Sequence, residues 1–182
     1  EQIADTIITV GDPDRVLAVS EHFDRIDVKV QKREFCTHTG ELNGKRLTVI
    51  STGIGTDNID IVFNELDALA NIDLTTRRVK DEHKTLSFVR IGTSGCLQED
   101  IPLDSYLVSE FGLGLDGLLN FYKKAYTKKE AFILEHFKAH WPDCPASPYI
   151  GNASRTLVEQ LGKDFYKGIT ATCTGFYGPQ GR

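Results

Sequence analysis

Thr6-Ile7-Ile8-Thr9-Val10-Gly11-Asp12-Pro13-Asp14-Arg15 is the stretch on which the fold turns. Its first half is a β-branched apolar run of the kind that fits a buried strand. Gly11 breaks the run. Asp12 then supplies an Asx cap, and Pro13 sits in the first turn, where its missing N–H is no loss, of a helix continuing through Val16-Leu17-Ala18-Val19. Strand, glycine turn and helix in this order open an α/β unit. The glycine also lets backbone N–H groups come close to a ligand, and Arg15 on the first helical turn brings a permanent charge whose planar fork matches a tetraoxyanion. A second arginine stands beside a glycine turn in Phe88-Val89-Arg90-Ile91-Gly92-Thr93-Ser94-Gly95. Two such elements in one chain predict a single phosphate held from two sides, as a reactant.

Working outward, residues 34–41 alternate, Asn43-Gly44 is a strong hairpin signal, and residues 46–51 return as a strand. Thr52-Gly53-Ile54-Gly55 follows, and Thr56 or Asp57 is expected to cap a helix with the apolar face Ile59, Val62, Phe63, Leu66 and Leu69. Residues 76–84 read as a polar, basic, solvated loop. Residues 86–91 suit a central strand, and residues 106–109 another. Residues 129–141 form an amphipathic pattern stopped by Pro142; a helix from a Ser154 cap to about Phe165 and a strand over residues 168–174 complete the series. The expected architecture is an α/β three-layer sandwich around a twisted central sheet, mostly parallel but made mixed by the early hairpin. Ligands in such folds bind beyond the carboxyl ends of the strands. Residues 11–15, 51–55, 90–95 and 174–182 all follow strands and are expected to share one rim.

Length and composition narrow the classes. At 182 residues, 40% hydrophobic and 26% charged, the chain has the material for an ordinary core and reads as one domain over residues 1–182. A net charge of −5 argues against a generic nucleic-acid binder. No stretch has the length of a membrane span and the start does not read as a signal peptide, so a cytoplasmic protein is expected. Cys36, Cys96, Cys144 and Cys173 show no paired or metal-type spacing and are expected to be buried free thiols. His38, His83, His136 and His140 are expected to be surface or packing residues. The chain opens at Glu1, contains no methionine and stops at Gln180-Gly181-Arg182 after a strand-like run, which reads as a C-terminally shortened chain.

Neither GxGxxG nor GxxxxGK[ST] occurs, which disfavours dinucleotide and magnesium-nucleotide binding. Five other motifs occur in order: Gly11-Asp12-Pro13-Asp14-Arg15, Lys32-Arg33-Glu34-Phe35, Ser51-Thr52-Gly53-Ile54-Gly55, Arg90-Ile91-Gly92-Thr93-Ser94-Gly95 and Phe176-Tyr177-Gly178-Pro179-Gln180-Gly181-Arg182. Together they resemble the nucleoside phosphorylase superfamily and, among its members, the uridine phosphorylases. The similarity runs from about Ile7 to Arg182.

The resemblance implies a pentosyltransferase of nucleoside salvage, in which phosphate displaces uracil from uridine and gives ribose 1-phosphate. It implies that Gly11, Arg15, Arg90 and Thr93 hold phosphate, and that Arg33 reaches the site of a neighbouring subunit in a homodimer or hexamer. Ser94 and Gly95 would face ribose and base, Phe176 would pack on the base, and Gln180 and Arg182 would bind the pyrimidine edge. Arg90 and Arg182 would act in catalysis. No organic cofactor is expected. Glu34, Ile54 and Asn58 match positions where some uridine phosphorylases hold a monovalent cation, with Asn58 in place of a serine.

These residue types suit substitution at C1′. The oxocarbenium-like sugar needs an oriented anion on one side and stabilised charge on the leaving base on the other, which guanidiniums and a glutamine amide provide. There are departures from the family pattern. A histidine upstream of the first strand and an acidic ribose-binding segment after Arg182 lie outside the sequence, and the order around Gly178 is swapped. A purine nucleoside phosphorylase, a water-using nucleosidase and a non-catalytic nucleoside-binding relic remain alternatives.

Overall fold

The computed structural model describes residues 2–181, in two compact units, residues 1–93 and residues 94–182. In the first, β1 (Thr6–Val10) leads into α1 (Pro13–Ser20), as the opening stretch predicts. Asp12 is the N-cap, its carboxylate accepting from the Asp14 N–H at 2.8 Å, with proline in the first turn. β2 (Arg25–Lys32), β3 (Phe35–Leu42) and β4 (Lys45–Ser51) form an antiparallel meander. Asn43 and Gly44, at φ 50° and 75°, make the hairpin turn that their sequence announces.

α2 (Thr56–Asn71) returns the chain to β5 (Ile72–Asp73), which pairs with β6 (Arg78–Val79) as a small ribbon whose second strand falls in the polar segment over residues 76–84 expected to be a loop. β7 (Ser87–Arg90) then joins β1 in parallel. The sheet order is β2-β3-β4-β1-β7, with β1 parallel to both β4 and β7. It is a mixed α/β sheet. Two expectations are corrected in detail. β7 stands at the end of this five-stranded order and not in its centre, and Arg90 is exposed instead of mid-strand in a core. α2 is capped by the backbone at Gly55 with no side-chain cap, because the Thr56 and Asp57 positions already lie within or beside the helical hydrogen bonding.

α2 packs Val62, Phe63 and Leu66 against Ile7 and Ile50 and also buries Ala70, while Leu69 stays 42% exposed. The expected face holds at Val62, Phe63 and Leu66 and fails at Leu69. α1 buries Val16 against Val10, Cys36 and Val49. At Gly40 a side chain would run into the Arg25 carbonyl and the Phe23 ring, so only glycine admits this close crossing of β2 on β3. Among the thiols, Cys36 is buried, but Cys144 and Cys173 are partly exposed and Cys96 is exposed, which corrects the expectation of four buried thiols.

In the second unit, β8 (Leu107–Gly114) lies between the antiparallel β9 (Tyr149–Asn152) and the parallel β10 (Tyr166–Thr172). α3 (Lys128–His140) packs Leu134 on Phe111, Leu113 and Ile150. It begins with a capping box in which Thr127 and Glu130 satisfy each other's backbone N–H groups. α4 (Arg155–Leu161) is capped by Ser154 as expected but stops at Gly162, four residues before the strand, and not at Phe165.

Glu130 is 1% exposed. Burial pushes its carboxyl up, but donation from the Thr127 N–H at 2.7 Å, Lys124 Nζ at 3.0 Å and the Asn152 N–H at 3.0 Å outweighs that and holds the pKa at about 2. Tyr149, desolvated and donating to Asp116, keeps its phenol well above the ordinary range.

Candidate functional site

The parallel trio β4-β1-β7 sends three turns off the same edge of the first sheet, because parallel neighbours end on the same side. These turns carry Gly11, Thr52-Gly53-Ile54 and Arg90. Thr9 pairs with Arg90, and the Ile91 N–H continues the ladder to the Thr9 carbonyl at 2.9 Å. On the other flank the Thr52 N–H reaches the Val10 carbonyl at 2.8 Å. The edge is thus pinned by backbone bonds on both sides of β1.

Gly11 is where these turns meet. A Cβ built there would lie 3.6 Å from Ile54 Cγ2, 3.7 Å from the Gly53 carbonyl and 3.9 Å from Arg90 Nη2. The glycine leaves a notch faced by a guanidinium, which suits an anion seated against backbone. Arg90 Nη1 also donates to Thr52 Oγ1 at 3.4 Å. Thr52 is fully buried, and its hydroxyl lies 3.2 Å from the Val10 carbonyl, an acceptor that turns the hydroxyl lone pairs toward Arg90. Its side chain anchors an otherwise long arginine. Nothing in the sequence marked Thr52 for this, since a threonine in a tight turn is common.

The electrostatics of the edge are unbalanced. Desolvation first, and the positive charge of Arg15 second, hold the Arg90 pKa below its ordinary value. No carboxylate among the described residues pairs with Arg90 or with Arg15. Two guanidiniums that repel each other thus lie at this edge without a counter-charge among the described residues. α1 adds its positive N-terminal end on the same side, directly after Gly11.

Arg33 stands at the tip of the β2–β3 hairpin with φ 58°, exposed to solvent. The tip is tied to the rim: Ser51 Oγ donates to the Glu34 carbonyl at 2.6 Å and accepts from the Cys36 N–H at 2.7 Å. Glu34 also reaches α2, accepting from Asn58 Nδ2 at 3.2 Å over Gly53, whose φ of +68° requires glycine. Glu34 and Asn58 thus meet as acceptor and donor. Ile54 lies 77% exposed beside them.

Thr93 ends the first unit in an exposed segment without regular secondary structure. The nucleoside candidates belong to the second unit. Ser94 and Gly95 are exposed there, and a Cβ on Gly95 would meet open space. Phe176 is 60% exposed. Gln180 closes a single 3-10 turn (Gly178–Gln180), with Nε2 donating to the Gly175 carbonyl at 3.2 Å, so its amide is folded back on its own loop. Arg182 lies outside the described residues.

Of the histidines, His38 is a packing residue: it is 5% exposed with Nδ1 2.8 Å from Ser20 Oγ, and desolvation first, then Lys29, lower its pKa. No helix among the described residues is long and apolar enough to cross a membrane.

Known proteins resemble this chain in sequence and fold. A uridine phosphorylase of Thermococcus kodakarensis is 28% identical over 99% of this chain and 54% of its own length. That of Escherichia coli is 36% identical over 64% of the chain and 40% of its length. A purine nucleoside phosphorylase of DeoD type from Aliivibrio fischeri is 31% identical over 66% of the chain and 45% of its length. The crystal structure of a Trypanosoma brucei nucleoside phosphorylase, described as showing uridine phosphorylase activity, superposes with a TM-score of 0.88 at 29% identity, over 100% of this chain and 66% of that one. The chain spans about half the length of the curated relatives it matches. The family model of the phosphorylase superfamily matches residues 5–182, and this chain belongs to that superfamily.

Proposed function

We propose that the protein is a pentosyltransferase that cleaves a pyrimidine ribonucleoside, uridine first, by reversible phosphorolysis. The observation that carries this reading is the pair of uncompensated guanidiniums, Arg90 facing the Gly11 notch and Arg15 close enough to act on its charge. In the proposed reaction a phosphate oxygen forms a bond to C1′ as the C1′–N1 bond breaks. The electron pair leaves with uracil, which takes a proton from water. Arg15 and Arg90 orient the nucleophile, with Gly11 and Thr93 closing around it. Their charges restrain the phosphate against the cationic sugar, and no side chain needs to form a covalent bond.

Arg33 is assigned to a neighbouring subunit of a homo-oligomer, a dimer or a hexamer. On the nucleoside side, Ser94 and Gly95 are assigned to ribose and base, Phe176 to stacking, and Gln180 with Arg182 to the pyrimidine edge. Arg182 would stabilise negative charge on the leaving uracil. For the Gln180 amide to read a base it must give up its bond to Gly175. The Glu34–Asn58 pair satisfies itself, so no step is routed through a cation. A role in nucleoside salvage in the cytoplasm is part of the same proposal.

The likeness to a purine nucleoside phosphorylase supports a second reading, with inosine as the preferred substrate. Separating the two requires following uridine and inosine with and without phosphate. We expect uridine loss that depends on phosphate and yields ribose 1-phosphate. Faster use of inosine would establish the purine reading. Base release at the same rate without phosphate would mean hydrolysis, and tight uridine binding without turnover would mean a binding protein; either result overturns the proposal.

A further inference from the structure

The last two turns of α3 carry two histidines four residues apart, His136 and His140, both exposed. That spacing places one side chain above the other on a helix. Their ring centroids are 4.2 Å apart, with planes tilted by 43°. Phe132, one turn earlier, stacks on the other side of His136 at 6.1 Å and limits the orientations of that ring.

His140 Nδ1 lies 2.8 Å from the His136 carbonyl oxygen. A carbonyl only accepts, so Nδ1 must carry the hydrogen, which leaves Nε2 of the neutral ring as a free lone pair. Metal-binding histidines commonly have their second nitrogen tied in this way, to a backbone carbonyl or carboxylate. The negative end of the helix dipole, at the same turn, favours a cation.

We propose that this turn binds a late first-row divalent transition ion through His136 and His140, copper(II) ahead of nickel(II) and zinc(II). Imidazole nitrogen suits these ions, and copper(II) heads their general order of affinity. Among the described residues no group of three His, Cys, Asp or Glu side chains is placed to hold a metal. Water would fill the remaining positions, and the ion would exchange readily. The site uses no residue assigned to nucleoside or phosphate, so it stands or falls apart from that reading.

The test is calorimetric titration of copper(II), nickel(II) and zinc(II) chlorides into the full chain at about pH 7.5. His136→Ala and His140→Ala would be compared with His22→Ala and His83→Ala, which change the other exposed histidines. We expect about a tenfold or greater loss of copper(II) affinity in each of the first two variants, because each removes one arm of a chelate, and no change in the last two. Substoichiometric copper(II) should also broaden nuclear resonances around Phe132, His136 and His140 in the unaltered protein, a readout that needs no variant. Unchanged affinity in both His136→Ala and His140→Ala, or broadening centred elsewhere, overturns the site.

Discussion

One site in each unit treats charge in the opposite way to the other. In the second, Glu130 is buried and surrounded by three donors, one of them cationic. In the first, Arg15 and Arg90 sit at an open edge with no carboxylate and press on each other's charge. A fold that completes the partners of a charge uses it to hold itself together. A fold that leaves two like charges facing each other at a notch leaves room for something to arrive. The contrast sets a structural ion apart from the one to which the proposed function gives work.

The comparison breaks most visibly at Arg90. Arg90→Ala should lower phosphate-dependent turnover about 10²- to 10³-fold, the scale seen when one charge-stabilising donor is lost. Its thermal stability should stay within about 0.5 kcal/mol of the parent, as for other exposed changes. Steady-state kinetics beside a denaturant titration would check both. A large loss of stability with activity retained would make Arg90 structural and erase the contrast.

Glu130 should behave in the reverse sense. Glu130→Ala leaves Lys124 and two N–H groups without their acceptor and should destabilise by about 3 kcal/mol, while activity per folded molecule is kept. Its pH dependence follows from the sign of the shift. The folded pKa of about 2 lies below the ordinary 4.5, so the stabilisation is complete above that ordinary value and disappears as pH falls to about 2. Urea titrations between pH 6 and pH 2 should therefore converge for parent and variant at the acid end.

The smallest effect is expected at Thr52, which joins the two themes by being a buried group that serves an exposed one. Thr52→Val removes the oxygen beside Arg90 and should raise the KM for phosphate about fivefold, with kcat less affected, the size of one modest hydrogen bond. Thr52→Ser restores the oxygen and should recover most of the loss. Equal KM values in all three proteins would show that Arg90 needs no anchor.

How much of this could be read from the chain depends on how local each signal is. The β1–Gly11–Asp12–Pro13 junction and the Asn43-Gly44 turn act through their own backbone, and both were legible. The Thr127–Glu130 capping box was also written in four consecutive residues, although its reading needs the helix start to be placed first. β2 alternates Ile26, Val28 and Val30 with polar residues, yet its poor burial gives a weak contrast between faces, and the strand was missed. The position of β7, the anchoring by Thr52, the burial of Glu130 and the sinking of His38 between Ser20 and Cys36 all depend on residues far along the chain. No periodicity encodes such meetings. The motif match located Arg33 and the Glu34–Asn58 pair, but only coordinates show which atoms of that pair face each other.

Arg33 has a consequence of its own. Its left-handed backbone at the hairpin tip is a conformation that glycine or asparagine would hold with less strain. Selection for a sturdier protein would therefore push this position toward a small neutral residue, and the proposed capture of an anion by a neighbouring copy would push it back. Under that proposal a stabilising substitution here is a trade against chemistry shared between copies, and libraries screened for heat resistance alone would drift away from it.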